Sequence, residues 1–172
     1  MRVLGLDPGI AIFGYGVAER ERAEMRARMR TMGVWRPRGD DPARLRELHA
    51  HLQALITEFR PDRAAVERVF HTRNVSTAAS VGQARGVALL ACAQAGVPVN
   101  EYTPTEMKLA VAGYGGADKR QVQTMVALQL GLEAIPRPDD AADALGLCLC
   151  CLWGQALEER VPLSPGRGGR GH

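Results

Sequence analysis

The sequence contains very little lysine and no apolar run long enough to span a membrane. Its basic residues number 22, and all but Lys108 and Lys119 are arginine. The 19 acidic residues leave a formal net charge of +3, which is too small to indicate a nucleic-acid partner by itself. Because no apolar segment reaches the ~20 residues of a membrane span, we expect no membrane contact. The first residues form an apolar, strand-like run without the charged lead and cleavage site of a signal peptide.

The cysteines do not form a disulfide framework. Three of the four, Cys148, Cys150 and Cys151, lie in one apolar stretch, and Cys92 stands apart. We therefore expect a reducing, cytoplasmic location. Cys148 and Cys151 make a C-x-x-C pair, but the chain has no second pair and no histidine nearby, so a zinc site is not expected. We interpret these cysteines as small hydrophobic residues of a buried helix.

Hydrophobic residues make up 46% of the chain, which is enough for a core, and their periodicity predicts an α/β domain over residues 1–158. Three early strands can form a meander, and the later strands alternate with helices, as parallel strands require. This order predicts a mixed five-stranded sheet flanked by helices. The tail, 159–172, is rich in Pro, Gly and Arg, and we expect it to be disordered. Predicted strands cover 2–6, 14–18, 25–35, 64–69 and 96–102, and predicted helices cover 40–59, 76–95, 104–112, 118–130 and 139–158.

Four acidic residues stand at the ends of these predicted elements. Asp7 follows the first strand, Glu67 ends the fourth, and Asp140 and Asp143 share one face of the last helix because they are spaced i, i+3. If the first and fourth strands are neighbours and the last helix packs beside them, the four carboxylates converge. Two unit charges 4 Å apart repel by roughly 4 kcal/mol at an effective dielectric near 20. Such a cluster requires protonation or a cation, and oxygen ligands favour Mg²⁺ or Mn²⁺.

Each acid also has an ordinary interpretation when it is taken alone. Asp7 precedes Pro-Gly and is typical of a turn, Glu67 is typical of a surface ion pair, and Asp140 is typical of a helix N-terminus. Asp143 is harder to explain in this way, because it interrupts the apolar segment AADALGL. The joint pattern therefore favours a metal site over four separate structural roles.

Several motifs together resemble the RuvC family of Holliday junction resolvases. In chain order they are Gly5-Leu-Asp-Pro-Gly9 with Gly14-Tyr-Gly-Val17, Val66-Glu-Arg-Val-Phe70, Gly82-Gln-Ala-Arg-Gly86, Lys119-Arg-Gln-Val-Gln123 and Asp140-Ala-Ala-Asp143. The likeness runs in register from about residue 2 to residue 155. It implies an RNase H-like fold, a homodimer, and Mg²⁺-dependent symmetric nicking of four-way DNA junctions that leaves 5′-phosphate ends. It also implies partnership with the RuvA–RuvB branch-migration complex.

The resemblance assigns roles to individual positions. Asp7, Glu67, Asp140 and Asp143 match the family's metal ligands, which hold two Mg²⁺ ions that Mn²⁺ can replace. Asp139 adjoins Asp140 and leaves a register question, which we decide for Asp140 because the family reads D-x-x-D-A here. Catalysis and DNA contact are implied for Lys119, and DNA contact for Lys108, Phe70, Arg73 and Asn74. Phe70 matches an aromatic residue that stacks near the junction centre.

Two positions depart from the family pattern. Ile10 and Phe13 stand where the family often has Ser or Thr, so a hydroxyl near Asp7 is missing or is supplied elsewhere.

The helix predicted over 76–95 is a candidate dimer interface. Ala78, Gly82 and Gly86 recur every four residues and leave one side nearly without side chains. Glycine costs about 1 kcal/mol in a helix interior, so a packing reason is expected. Close approach to a partner helix is one such reason, and close approach to the chain's own sheet is the other.

Two other functions are compatible with the same motifs. One is an RNase H-like nuclease that acts on RNA–DNA hybrids or single strands. The other is a module that binds junctions without cutting them, although the four intact acids argue against it.

Overall fold

The structure is a computed structural model that describes residues 1–9, 11–21, 26–36, 38, 41–68 and 75–160. Five strands form one sheet in the order β3-β2-β1-β4-β5. The strands are β1 (Arg2–Pro8), β2 (Phe13–Arg20), β3 (Ala27–Trp35), β4 (Arg63–Glu67) and β5 (Val99–Tyr102). The helices are α1 (Asp41–Phe59), α2 (Val75–Gln94), α3 (Pro104–Ala112), α4 (Lys119–Leu130) and α5 (Asp139–Arg160).

The sheet is mixed, as the element order predicts. β1, β2 and β3 form an antiparallel meander, whereas β4 runs parallel to β1 and β5 runs parallel to β4. Helix α1 leads from β3 to β4, and α2 leads from β4 to β5. A tight turn reverses the chain and joins antiparallel strands. Parallel neighbours therefore need a longer crossover connection, which these helices provide. The expected five-stranded sheet flanked by helices is confirmed.

Alternate residues of the central strands feed two separate cores. Val3 and Ala65 pack with α3, α4 and α5, while Leu4 and Val66 pack with α1 and α2. This period of two places every second residue of β1 and β4 on the α5 face of the sheet. The polar residues at the ends of these strands follow the same alternation between the two faces of the sheet.

Glycines allow α5 to approach the sheet unusually closely. A Cβ added to Gly5 would collide with the carbonyl of Ala144, and it would lie 2.8 Å from the Sγ atom of Cys148. A Cβ added to Gly14 would collide with the backbone of Asp140. The first turns of α5 are therefore fixed directly against the ends of β1 and β2.

The structure departs from the predicted elements in several places. β1 continues through Asp7 to Pro8 rather than ending at residue 6, and β4 ends at Glu67 rather than at residue 69. β3 contains a bulge, because Ala18 pairs with Met29 and Val17 with Thr31, which leaves Arg30 without an opposite residue. The strict alternation of arginines in this segment therefore breaks at Arg30. β5 begins at Val99 rather than at residue 96, because Gly96 turns the chain after α2 with a φ of +67°.

The cysteines take the predicted place in the core. All four are buried free thiols, and burial raises the pKa of Cys148 to about 12. Within the described ranges, none of the helices has both the length and the apolar character that a membrane crossing requires.

Candidate functional site

Asp7 and Glu67 lie side by side where two parallel strands end. Leu6 of β1 pairs with Val66 of β4, so the next residue of each strand reaches the same edge of the sheet. Asp7 follows Gly5, and Glu67 follows Ala65, at a spacing of two, which puts both carboxylates on the α5 face. The strand register thus brings together two acids that are sixty residues apart in the chain.

Helix α5 contributes the other two acids. Asp7 pairs with Gly14 in β2, and the backbone of Asp140 lies directly over Gly14. Asp143 follows one turn later on α5, where its side chain is 29% exposed. The four acids therefore come from β1, β4 and the first turns of α5, as the sequence predicts.

The electrostatics confirm that these carboxylates share one environment. Burial, followed by the charges of Glu67, Asp143 and Asp140, raises the pKa of Asp7 to about 8. Burial and the charge of Asp143 raise the pKa of Glu67 above its usual range. Burial also raises the pKa of Asp143, although the ammonium of Lys119 opposes this effect. Several half-buried carboxyls with raised pKa values are typical of a functional site rather than of a stabilising cluster.

Lys119 forms an ion pair with one of these four acids. It is the first residue of α4, whose start is fixed by a capping box in which Asp118 and Gln121 bind each other's backbone amides. The Nζ atom of Lys119 lies 3.2 Å from Oδ2 of Asp139 and 3.5 Å from Oδ2 of Asp143. Burial lowers the pKa of Lys119, but the neighbouring Asp143 and Asp139 outweigh this effect and raise it.

The position of α4 relative to α5 is fixed by a short relay of hydrogen bonds. Trp153 donates from Nε1 to Oε1 of Gln129 at 2.6 Å, and Gln129 donates from Nε2 to the carbonyl of Val111 at 2.6 Å. This relay joins α5, α4 and α3. It holds the helix that carries Lys119 in a defined register against the helix that carries Asp143.

The two neighbouring acids at the start of α5 have different surroundings. Asp140 lies over Gly14 and contributes to the raised pKa of Asp7. Asp139 faces α4, where its carboxylate accepts from Lys119 and from Nη1 of Arg137, the latter at 2.6 Å. Hydrogen bonding from Lys119 lowers the pKa of Asp139. These contacts favour Asp140 as the fourth acid of the site, in agreement with the sequence register.

The donor set fits a hard divalent cation. All four acids supply carboxylate oxygens, the ligands that Mg²⁺ and Mn²⁺ prefer. A divalent cation bound among them would offset the repulsion between their negative charges. Within the part of the chain that the structure describes, no three Asp, Glu, His or Cys side chains are close enough to form a ready metal cage. A bound ion would therefore have to draw the carboxylates together, against the ion pair between Asp143 and Lys119.

The remaining predicted site residues are placed less directly. Lys108 lies on α3 and makes no ion pair with any of the four acids. Phe70, Arg73 and Asn74 lie outside the described residues, as does Ile10.

Phe13, the second departure from the family pattern, is 1% exposed and packs in the core between the sheet and α1 and α2. In β2 the odd-numbered residues Phe13 and Val17 face that core, whereas Gly14 faces Asp140, so the ring of Phe13 lies away from the acids.

Sequence reasoning missed the ion pairs of Asp139 and an ion pair behind the site. Arg85 of α2 contacts Glu101 of β5 at 2.6 Å, and Arg68 lies 3.8 Å from the same carboxylate. The signal for Asp139 was available in the sequence as its spacing of four from Asp143, which puts both acids on one helix face. No comparable signal pairs Arg85 with Glu101, because the packing of α2 against the sheet brings them together.

Comparisons with known proteins agree with this geometry. The family model described as "Crossover junction endodeoxyribonuclease RuvC" matches residues 3–151. The chain belongs to the RuvC family. The crossover junction endodeoxyribonuclease RuvC of Chloroflexus aggregans is 57% identical over 151 residues, which cover 87% of this chain and 92% of that relative.

Two solved structures extend the RuvC comparison to three dimensions. The Thermus thermophilus RuvC structure has 39% identity, covers 91% of this chain and 96% of its own, and gives a TM-score of 0.84. T. thermophilus RuvC in complex with Holliday junction substrate has 38% identity, the same coverage and a TM-score of 0.86. The RNase H-like fold expected from the sequence is thus confirmed, and membership of the RuvC family identifies the chain as a nuclease.

Proposed function

We propose that this chain is a Mg²⁺-dependent endonuclease that resolves four-way DNA junctions by paired symmetric nicks and leaves 5′-phosphate ends. The observation that carries the proposal is the convergence of four carboxylates at the ends of β1 and β4, with the pKa of Asp7 raised to about 8. The similarity to an RuvC in complex with Holliday junction substrate supports a four-way junction as the DNA partner.

Asp7, Glu67, Asp140 and Asp143 would hold the metal. Two divalent ions bound by such carboxylates supply an activated water and stabilise the leaving 3′ oxygen during phosphodiester hydrolysis. A carboxyl with the raised pKa of Asp7 keeps its proton near neutral pH unless a cation offsets the surrounding charges. Cation binding by these acids therefore displaces their protons. Mn²⁺ should replace Mg²⁺ because it accepts the same oxygen ligands.

Lys119 would act on the substrate phosphate. Its side chain is 55% exposed, yet its ammonium lies 3.5 Å from Oδ2 of Asp143. A cation in that position offsets the negative charge that develops on the phosphate in the transition state. Lys119 is therefore proposed as a catalytic residue rather than a metal ligand.

Four further residues are proposed to contact DNA. Lys108 on α3 would bind the backbone as a point charge, together with Arg73 and Asn74. Phe70 would stack on an unpaired base near the junction centre, a contact worth about 1–3 kcal/mol.

A homodimer is proposed because the junction and its two nicks are related by two-fold symmetry. Among the described residues, no heavy atom outside the helix's own backbone lies within 4 Å of a Cβ built on Gly82 or Gly86. These glycines therefore do not serve close packing on the chain's own sheet. Leu90, four residues beyond Gly86, is 51% exposed in the same row. A second copy of α2 would cover this row.

Three broader features belong to the same proposal. The enzyme would work in the cytoplasm with the RuvA–RuvB branch-migration complex, as its family membership suggests. Residues 1–158 would form the nuclease domain. Helix α5 continues to Arg160, and the rest of the expected tail, 161–172, lies outside the described residues and would be dispensable for cleavage. Co-sedimentation of the protein with RuvA–RuvB on junction DNA, and cleavage by a chain ending at residue 158, would test these points.

Nicking of a synthetic mobile junction, mapped at nucleotide resolution, tests the main proposal. We expect symmetric cuts with 5′-phosphate ends in Mg²⁺ or Mn²⁺, and no cuts in EDTA. Asp7→Asn should abolish cutting and leave junction binding intact. The matched control is Asp62→Asn, which removes an acid at the opposite end of β1.

Other outcomes would identify the alternative functions. Faster cutting of a linear RNA–DNA hybrid than of the junction would indicate a different RNase H-like nuclease. Junction binding without cutting in either metal would indicate a non-catalytic binding module. Loss of binding by Asp7→Asn would assign that residue a structural role.

A further inference from the structure

Asp139 lies outside the proposed metal-binding set, yet it is bound more closely to Lys119 than the proposed ligand Asp143 is. Its Oδ2 atom is 3.2 Å from the ammonium, compared with 3.5 Å for Oδ2 of Asp143. Its other oxygen, Oδ1, accepts from Nη1 of Arg137 at 2.6 Å. Both oxygens of Asp139 are thus occupied by cationic donors, which disfavours a role for this residue as a metal ligand.

The geometry of two helices explains this contact. Lys119 and Gln123 are spaced by four on α4, and Asp139 and Asp143 are spaced by four on α5. The two residues of each pair therefore lie on the same face of their helix. Gln123 is 4% exposed, and its Nε2 atom makes no hydrogen bond of ordinary geometry to the described residues. The ammonium of Lys119 and the carboxylate of Asp139 therefore meet where α4 crosses α5.

A lysine bound only to Asp143 would be poorly placed for catalysis. When Asp143 serves a divalent cation, the charge of that ion repels the ammonium, and Lys119 is 55% exposed and free to turn into solvent. Asp139 offers an acceptor that the metal does not use. Its exposed fraction of 38% leaves room for a phosphate beside the ion pair.

We propose that Asp139 is a positioning residue that holds the Lys119 ammonium beside the scissile phosphate while Asp143 serves the metal. This inference rests on the proposed function. It predicts that Asp139 acts on cleavage only through Lys119. It therefore differs from a metal ligand, whose loss would impair cleavage whether or not the lysine is present.

A double-mutant cycle tests this dependence. Single-turnover cleavage of the junction at saturating Mg²⁺ is compared for wild type, Asp139→Asn, Lys119→Ala and the double variant. We expect Asp139→Asn to slow cleavage about 10- to 100-fold, because a misplaced catalytic group has an effect of that size. In the Lys119→Ala background the same change should alter the rate less than about twofold, since interacting residues are non-additive. Glu133→Gln, an exposed acid changed by the same charge, is the control.

A second measurement needs neither metal nor cleavage. The chain has two lysines, so acylation of Lys119 relative to Lys108 can be read unambiguously by mass spectrometry in EDTA. The ion pair should protect Lys119, and Asp139→Asn should raise the ratio severalfold while Glu133→Gln leaves it unchanged. This readout reports the placement of the ammonium and would not respond to a remote structural effect on catalysis.

The outcomes separate this inference from the proposed function. If the wild type fails to nick junctions, the proposed function is wrong, and the inference that rests on it is lost as well. If the wild type nicks junctions but Asp139→Asn cuts at the wild-type rate, only this inference is overturned. Additive losses in the cycle, or an unchanged acylation ratio, would also overturn it. A large rise in the Mg²⁺ concentration needed by Asp139→Asn would instead make Asp139 a ligand.

Discussion

Asp7 is buried among three other carboxylates, and its pKa is raised to about 8 by that burial and by their charges. Its charged form therefore destabilises the folded protein when no cation is bound. We expect Asp7→Asn, which should abolish cleavage, to raise the free energy of unfolding in EDTA by about 1–3 kcal/mol. Urea denaturation at pH 8 measures this change. A loss of stability on the same scale would mean that the carboxylate is a structural group.

His51 provides a test of residue-scale electrostatics away from the site. Its ring packs edge-on to Tyr15 at 5.1 Å and stacks on Trp35 at 6.4 Å. Burial lowers its pKa below 6.5, so the unfolded chain binds a proton more readily than the folded chain does. The contribution of this ring to stability is therefore present above pH 6.5 and is lost as the pH falls through the folded-state pKa.

Replacing His51 with phenylalanine should reduce the dependence of stability on pH. His51→Phe keeps a ring against Tyr15 and Trp35 but cannot titrate. Urea midpoints measured between pH 7.5 and 5 should fall less for the variant than for the wild type. His49→Gln, a change on the same helix, should leave the fall of the urea midpoint between pH 7.5 and 5 as it is in the wild type. Equal slopes for His51→Phe and the wild type would contradict the assignment.

At the scale of elements, the contact between α5 and the sheet determines whether the acids meet. Gly5→Ala would push a methyl group into the backbone of Ala144, and we expect a loss of about 3 kcal/mol or more, because neither backbone can yield cheaply. Gly154→Ala, at a half-buried position later in the same helix, meets only the hydroxyl of Tyr102 at 3.9 Å among the described residues. It should gain up to about 1 kcal/mol from helix propensity. Thermal unfolding of both variants checks the contrast.

Most of these elements could be predicted because periodicity and turn residues are local signals. The capping box at Asp118 and the glycine that ends α3 at residue 113 are readable in the sequence, and the structure places helix ends there. The convergence of the acids required two further assumptions, that β1 and β4 are neighbours and that α5 packs beside them. The strand register and the approach of Asp140 to Gly14 confirm both. The bulge at Arg30 and the ion pair of Arg85 with Glu101 depend on pairings between distant segments. Local patterns do not encode such pairings.

At the scale of the whole molecule, one subunit contains one set of acids, whereas a four-way junction requires two cuts. We propose that a second copy of the chain covers the row on α2 that includes Gly82, Gly86 and Leu90. Gly82 and Gly86 leave the helix backbone uncovered, and Leu90 adds an exposed apolar side chain. Helices approach closely where small residues line the contact, and burying Leu90 there would add hydrophobic stabilisation.

A charged side chain in this row should separate the subunits without unfolding them. Gly86→Glu places a carboxylate where nothing lies within 4 Å in one subunit, and glutamate favours a helix more than glycine does. We expect the variant to sediment near the chain mass of 18.6 kDa at micromolar concentration, and the wild type at twice that mass. On a supercoiled plasmid with an extruded cruciform, the wild type should produce linear product, whereas Gly86→Glu should accumulate nicked circles because its two cuts are uncoupled. Ala54→Glu adds the same charge to an exposed position of α1 and should behave as the wild type does. A Gly86→Glu protein that remains dimeric and linearises the plasmid would move the interface elsewhere.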